Sequence, residues 1–71
     1  NMETETLVRF AERIRKAIAG IVIVSGNVRL KITASVGLAV WDRKESAETL
    51  FRRADQQLYQ AKNTGRNRVC A

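Results

Sequence analysis

The sequence has little cysteine, few acidic residues and no long apolar run among its 71 residues. Its single cysteine, Cys70, cannot form a disulfide within the chain, so we expect the reducing cytoplasm as its location. No apolar run approaches the roughly 20 residues that a membrane-spanning helix needs, and the start shows no signal-peptide pattern. We therefore expect a globular segment that makes no contact with a membrane.

The shortage of acidic residues makes the chain basic, because seven Asp and Glu stand against thirteen Lys and Arg, for a formal charge of +6. This balance is compatible with nucleic acid, anionic lipid or nucleotide phosphates as partners. Acidic residues elsewhere in a larger domain would restore neutrality. Aromatic residues are also few and are not interleaved with the basic ones, so we expect no nucleic-acid partner. A steep loss of binding with rising salt would be the sign of one.

The first part of the chain predicts a helix from about Thr4 to Ala19, which Gly20 ends. Acidic residues lie near its start and basic residues toward its end, as the helix dipole favours. The apolar stripe at helical spacing consists of Leu7, Phe10, Ala11, Ile14 and Ile18.

The apolar period then changes from 3.6 to 2, which predicts strands. Residues 21–24 and the turn-forming residues 25–27 predict a hairpin. Its second arm is expected to be one long strand over residues 28–40, with one buried face. Gly37 inside this strand indicates a bulge or a close approach of the backbone, and an ordinary tolerated glycine is an equal alternative.

A second helix is predicted to begin after Ser46, a residue type that caps helices, and to end at Gly65. Residues 67–70 would form one last short strand. The order is helix, β-hairpin with a long strand, helix and short strand, an α+β fold in one small domain. The apolar stripe of the second helix consists of Ala47, Leu50, Phe51, Ala54, Leu58 and Ala61.

Lys62 and Arg66 stand on either side of Gly65, although the helix end requires only the glycine. By local physics, Lys62 is a solvated cation beside the last helical carbonyls and Arg66 is another surface arginine. Binding of a phosphate group is the alternative that the same spacing leaves open.

Two stretches, KITASVGLAV and ESAETLFRRADQQLYQAKNTGRNRV, carry many motif residues at fixed spacing. These are Thr33, Ser35, Gly37, Leu38 and Ala39 in the first, and Ala54, Asp55, Leu58, Tyr59, Ala61, Lys62, Gly65, Arg66 and Asn67 in the second. They closely resemble the C-terminal part of GGDEF domains, the diguanylate cyclases that make cyclic di-GMP from GTP. The resemblance implies that residues 1–71 are a partial GGDEF domain with a palm-like, nucleotidyl-cyclase fold. The G-G-[DE]-E-F turn itself does not occur in the chain.

The resemblance implies an enzyme, a nucleotidyltransferase in bacterial signal transduction, in which Lys62 and Arg66 contact the terminal phosphates of GTP. It also implies Mg²⁺ or Mn²⁺, held by residues outside this chain, and a homodimer in which each copy contributes one GTP. The acidic residues Asp42, Glu45, Glu48 and Asp55 do not match the metal positions, so we expect them to be solvated or to cap helices. The fragment alone is expected to be inactive.

Arg13 matches a position that helps to bind the product, cyclic di-GMP, at a secondary inhibitory contact in some GGDEF domains. The alternative is a surface charge of the helix, paired with Glu12 or with solvent.

Three functions stay open on the sequence. The first is a diguanylate cyclase, the second is a degenerate GGDEF domain that binds nucleotide or a partner without turnover, and the third is a small nucleic-acid-binding module. The long strand would also have an uncovered edge, which predicts self-association of the isolated chain.

Overall fold

The computed structural model describes residues 2–71, which form two helices and two separate two-stranded sheets. The chain is elongated, with extents of 53 × 21 × 19 Å. This mixed composition confirms the predicted α+β class. The elements in chain order are α1 (Met2–Ala19), β1 (Val22–Ser25), β2 (Val28–Lys31), β3 (Val36–Gly37), α2 (Ala47–Asn63) and β4 (Val69–Cys70).

The predicted hairpin is confirmed as an antiparallel pair of β1 and β2, in which Ser25 lies opposite Val28. The turn between them therefore has two residues, Gly26 and Asn27. Gly26 has a φ of 60°, and a positive φ at the first central position is typical of a type II′ hairpin turn. The local turn chemistry thus determines the register of this sheet.

The single long strand predicted over residues 28–40 is wrong. β2 ends at Lys31, residues 32–35 are not in a strand, and β3 comprises only Val36 and Gly37. β3 pairs in parallel with β4 in the second sheet, where the N–H of Val36 donates to the carbonyl of Arg68 at 2.9 Å. The alternation of apolar residues continues across both segments, but their pairing partners differ, and so the strand divides.

Helix α2 packs on the short sheet of β3 and β4, while α1 contacts β4. Helix α2 approaches the backbone of β3 closely at Gly37, which confirms the close-approach alternative for this glycine. This packing holds the end of α2 next to the chain that enters β4. Neither α1 nor α2 is long and apolar enough to cross a bilayer.

The buried core among residues 2–71 is small, with only Ala11 and Ala61 buried. The predicted apolar stripes are covered only in part, since Phe10 on α1 is 60% exposed and Phe51 on α2 is 73% exposed. Both sheet faces of the hairpin are also exposed. The stripes therefore mark the packed sides of the helices only in part: Ala11 and Ala61 are buried, whereas the large side chains Phe10 and Phe51 stay exposed.

Candidate phosphate-binding site

The start of α2 is fixed by the predicted cap, Ser46. Its backbone is extended, with φ −72° and ψ 160°, and its hydroxyl oxygen accepts a hydrogen bond from the N–H of Thr49 at 3.1 Å. Glu48 in the first turn adds a favourable interaction with the helix dipole. The cap therefore sets the first residue of α2.

The end of α2 is closed by hydrogen bonds to its last carbonyl groups. The N–H of Thr64 donates to the carbonyl of Gln60 at 2.9 Å, and the N–H of Arg66 donates to the carbonyl of Ala61 at 2.8 Å. The second bond is the long-range bond of a Schellman motif, and Gly65 between them has a φ of 124°. The glycine is therefore required by this closure.

The two predicted phosphate-binding residues lie together at this closure and are both exposed. Lys62 is in the last helical turn, and Arg66 comes directly after Gly65. Within residues 2–71, neither side chain makes a hydrogen bond or an ion pair. The helix carbonyls of Gln60 and Ala61 are already satisfied by backbone N–H groups, so both cations keep their donors for another group.

The turn after Gly65 is tied to two other parts of the chain through Asn67. The N–H of Asn67 donates to the hydroxyl oxygen of Ser35 at 3.2 Å, just before β3. The Asn67 side-chain oxygen accepts from Nη1 of Arg15 at 2.7 Å. Arg15 belongs to α1, so this bond joins residues 52 positions apart.

Arg15 was missed by the sequence reasoning. Ser35 and Asn67 are both motif residues of the GGDEF resemblance, whereas Arg15 is not. No feature of periodicity or spacing pairs residue 15 with residue 67. The guanidinium of Arg15 also holds both carboxylate oxygens of Glu12, at 2.8 and 3.0 Å. This hydrogen bond lowers the pKa of Glu12 and raises the pKa of Arg15, although desolvation opposes both changes.

Arg13 lies on the exposed surface of α1 and is not brought to the turn. Arg13 lies two positions before Arg15 on α1, so the two side chains leave the helix in directions about 200° apart around its axis. Its suggested pairing with Glu12 is wrong, because Arg15 holds that carboxylate. The structure therefore separates Arg13 from the site of Lys62 and Arg66.

The acidic residues of the loop before α2 have structural roles. Asp42 accepts hydrogen bonds from the N–H groups of Lys44 and Glu45 at 2.8 and 2.9 Å, and these bonds lower its pKa. Glu45 is not solvated as predicted, since its side chain is 10% exposed and pairs with Arg53. Among residues 2–71 there is no group of three or more His, Cys, Asp or Glu side chains that could hold a metal ion.

A cavity of about 430 Å³ lies away from the two cations, between the start of α1, the chain after β3 and the middle of α2. Leu7, Leu38 and Arg53 are among its lining residues, and neither Lys62 nor Arg66 is. The candidate phosphate-binding site is therefore an exposed turn outside this cavity.

The family model described as "Diguanylate cyclase, GGDEF domain" matches residues 1–68. The chain therefore belongs to the GGDEF domain family. Its fold, with two helices and small sheets, agrees with part of such a domain.

Several known proteins are similar to the chain. It is 46% identical over 67 residues to the diguanylate cyclase DgcM of Escherichia coli (strain K12), which covers 94% of this chain and 16% of that protein. It is 43% identical over 58 residues to the diguanylate cyclase DgcP of Pseudomonas aeruginosa. This match covers 82% of the chain and 9% of DgcP. It is 41% identical over 64 residues to the response regulator PleD of Caulobacter vibrioides. This match covers 86% of the chain and 14% of PleD.

The chain thus spans between 9% and 16% of the length of these three relatives. No solved structure gives a significant match to it.

Proposed function

We propose that the intact protein is a diguanylate cyclase, which condenses two GTP molecules into cyclic di-GMP with release of pyrophosphate. The observation that carries this proposal is the pair of exposed cations, Lys62 and Arg66, on a turn closed by hydrogen bonds in a chain of the GGDEF family. Two of the similar proteins, DgcM and DgcP, are diguanylate cyclases.

The chemistry explains why cations are needed at such a turn. The 3′-oxygen of one GTP attacks the α-phosphorus of the other, the bond to the β-phosphate breaks, and pyrophosphate leaves with added negative charge. Lys62 supplies a point charge and Arg66 a planar set of donors that can hold two phosphate oxygens. Each charge-assisted hydrogen bond to phosphate contributes about 1.5–3 kcal/mol, or roughly ten- to 150-fold in affinity or rate.

The residues of this chain do not fit the metal that the proposal requires, as no acidic cluster is present within residues 2–71. We propose that residues elsewhere in the intact protein hold Mg²⁺ or Mn²⁺, which would activate the attacking 3′-hydroxyl. The part assigned to this chain is to bind and orient the terminal phosphates. A homodimer that joins two GTP molecules, and a location in the cytoplasm, belong to the same proposal.

The proposal also includes a regulatory role for Arg13. Its exposed position on α1 leaves the guanidinium open to cyclic di-GMP, at a place apart from the turn of Lys62 and Arg66. Product bound there would act without competing for the phosphate-binding cations.

The test compares Lys62→Ala and Arg66→Ala with Arg52→Ala in the intact protein. Arg52 is an exposed cation on the same helix, ten positions before Lys62 and about 15 Å away along the axis. Both site variants should weaken binding of α,β-methylene-GTP, which cannot release pyrophosphate, by roughly ten- to 150-fold. Binding of GMP, which lacks the terminal phosphates, should stay unchanged.

Arg52→Ala should bind both nucleotides as the parent does. Unchanged affinity of both site variants for the GTP analogue, together with unchanged cyclic di-GMP production, would refute the assignment. Nucleotide binding without any turnover by the parent protein would instead indicate a degenerate GGDEF domain.

A further inference from the structure

The turn that presents Arg66 has a backbone conformation that needs support from its surroundings. Arg66 has a φ of 60° and Asn67 a φ of 48°. This left-handed region is unfavourable for residues with a Cβ atom, although asparagine tolerates it better than most. Two such residues in succession persist when neighbouring groups hold them in place.

Asn67 is held from two sides. Its backbone N–H donates to the hydroxyl oxygen of Ser35 at 3.2 Å, which ties the turn to the start of β3. Its side-chain oxygen accepts from Nη1 of Arg15 at 2.7 Å, and the same nitrogen lies 3.4 Å from the Asn67 carbonyl oxygen. The turn is therefore fixed against both the sheet and α1.

Arg15 is itself held in one orientation. Its Nε and Nη2 donate to the two carboxylate oxygens of Glu12, which leaves Nη1 directed at Asn67. The Arg15 side chain is only 14% exposed, unlike the exposed Arg13 beside it. A planar guanidinium with all three nitrogens engaged loses little further freedom when it fixes Asn67.

We propose that Arg15, oriented by Glu12, is a positioning residue that acts through Asn67 to hold Arg66 in place for the terminal phosphates of GTP. This inference rests on the proposed role of Arg66 in phosphate binding. Arg15 donates to Glu12 and Asn67, so its effect on the substrate is indirect. Without it, the turn keeps its bond to Ser35 but loses its attachment to α1, and Arg66 is held less firmly.

A purely structural role for Arg15 would give a different result. Arg15 joins α1 to the chain before β4, so its loss could lower the stability of the domain alone. That effect would reduce the melting temperature and the fraction of active protein while the folded protein kept its parent affinity for GTP. A change in affinity that depends on the terminal phosphates, and on Arg66, separates the two roles.

The experiment measures three quantities in the intact protein: the melting temperature and the affinities for α,β-methylene-GTP and for GMP. Arg15→Ala is compared with Arg9→Ala, which removes the same side chain from an exposed position of α1. Each substitution is also made in the Arg66→Ala background. Ser35→Ala is the second test variant, because it removes the acceptor of the Asn67 N–H without altering α1.

Arg15→Ala and Ser35→Ala should each weaken binding of the GTP analogue by about three- to tenfold, since residues in one hydrogen-bond network couple measurably. GMP affinity should not change. In the Arg66→Ala background, neither substitution should lower the affinity for the GTP analogue further. Arg9→Ala should match the parent throughout.

The positioning role is wrong if Arg66→Ala lowers the affinity for the GTP analogue while both test variants keep the parent affinity. It is also wrong if their effects persist in full without Arg66. A failure of the proposed function is a separate outcome, since in that case Arg66→Ala itself leaves the affinity unchanged. If Arg15→Ala does not fold, Arg15→Lys takes its place in the comparison, because an ammonium group keeps the charge but lacks the planar set of donors that holds Glu12 and Asn67 together.

Discussion

Gly37 of β3 lies directly against Leu58 of α2, so that a Cβ atom at position 37 would stand 2.2 Å from the Leu58 backbone nitrogen. The same atom would be 2.5 Å from the carbonyl oxygen of Ala54. Both neighbours are backbone atoms of a helix, which cannot move aside as a flexible side chain can. This contact places α2 on the sheet, and with it the turn that carries Lys62 and Arg66.

Gly37→Ala should therefore destabilise the protein, because the helix must move away from β3 to admit the methyl group. Overpacking of this kind typically costs about 1–3 kcal/mol, and backbone neighbours put this case toward the upper end. Gly20→Ala is the matched control, since its Cβ would lie 3.5 Å from the nearest atom, an ordinary contact. Thermal unfolding of both variants is the measurement, and equal melting temperatures would contradict the expectation.

Acid should open the loop before α2 through Glu45. Arg53 donates hydrogen bonds to both carboxylate oxygens of Glu45, which lowers the pKa of Glu45 below its ordinary value of 4.5. A carboxyl whose pKa is lowered by folding adds stability above its ordinary pKa, and this contribution is lost as pH falls through the folded value. The loss should therefore begin below about pH 4.5.

Arg53→Ala should raise the pKa of Glu45, so that its carboxyl titrates at a higher pH by NMR. The indole N–H signal of Trp41 should follow, because this group donates to the Glu45 carbonyl at 2.9 Å. Arg52→Ala removes the neighbouring exposed charge and should leave the Glu45 titration in place. An unchanged midpoint in Arg53→Ala would show that the ion pair does not set this pKa.

The isolated 71-residue chain should self-associate. The predicted reason, the uncovered edge of one long strand, is replaced by a hairpin that is exposed on both faces, where Val24 is 61% and Leu30 51% exposed. Exposed strand edges and contiguous apolar surface both favour pairing between copies. Light scattering after size exclusion measures the mass, and a monodisperse monomer with a cooperative melt would contradict the prediction.

Ile23→Thr with Leu30→Thr should reduce this association. These residues lie opposite each other across the hairpin, and threonine keeps a high preference for strands while it removes apolar surface. The hairpin itself should persist in far-ultraviolet circular dichroism. Self-association at the parent level in this variant would indicate that another surface, such as the exposed face of α1, joins the copies.

Arg13→Ala should weaken cyclic di-GMP binding to the intact protein, since an exposed guanidinium can donate two hydrogen bonds to a phosphate group. The expected loss is about tenfold, as for one charge-assisted hydrogen bond. Isothermal titration against Arg13→Ala and Arg9→Ala measures it, with Arg9→Ala as the control on the same helix. Equal affinity of both variants for the product would remove Arg13 from the regulatory site.

Much of the local structure was predictable. The bounds of α2 follow from Ser46 and Gly65, because a cap and a left-handed glycine act on the few residues beside them. The hairpin follows from a two-residue turn for the same reason. The grouping of Lys62 and Arg66 at the end of α2 was likewise visible in the sequence, since they stand only four positions apart.

The sequence by itself determined where the helices and the hairpin form, because caps, turn residues and apolar period act over neighbouring positions. Only the tertiary structure decided that residues 28–40 divide between two sheets, since alternation records which way side chains point and not which strand lies beside them. The bond from Arg15 to Asn67 was likewise decided by the packing of α1 against the chain entering β4. No local preference acts across 52 residues, so that contact exists only in the folded chain.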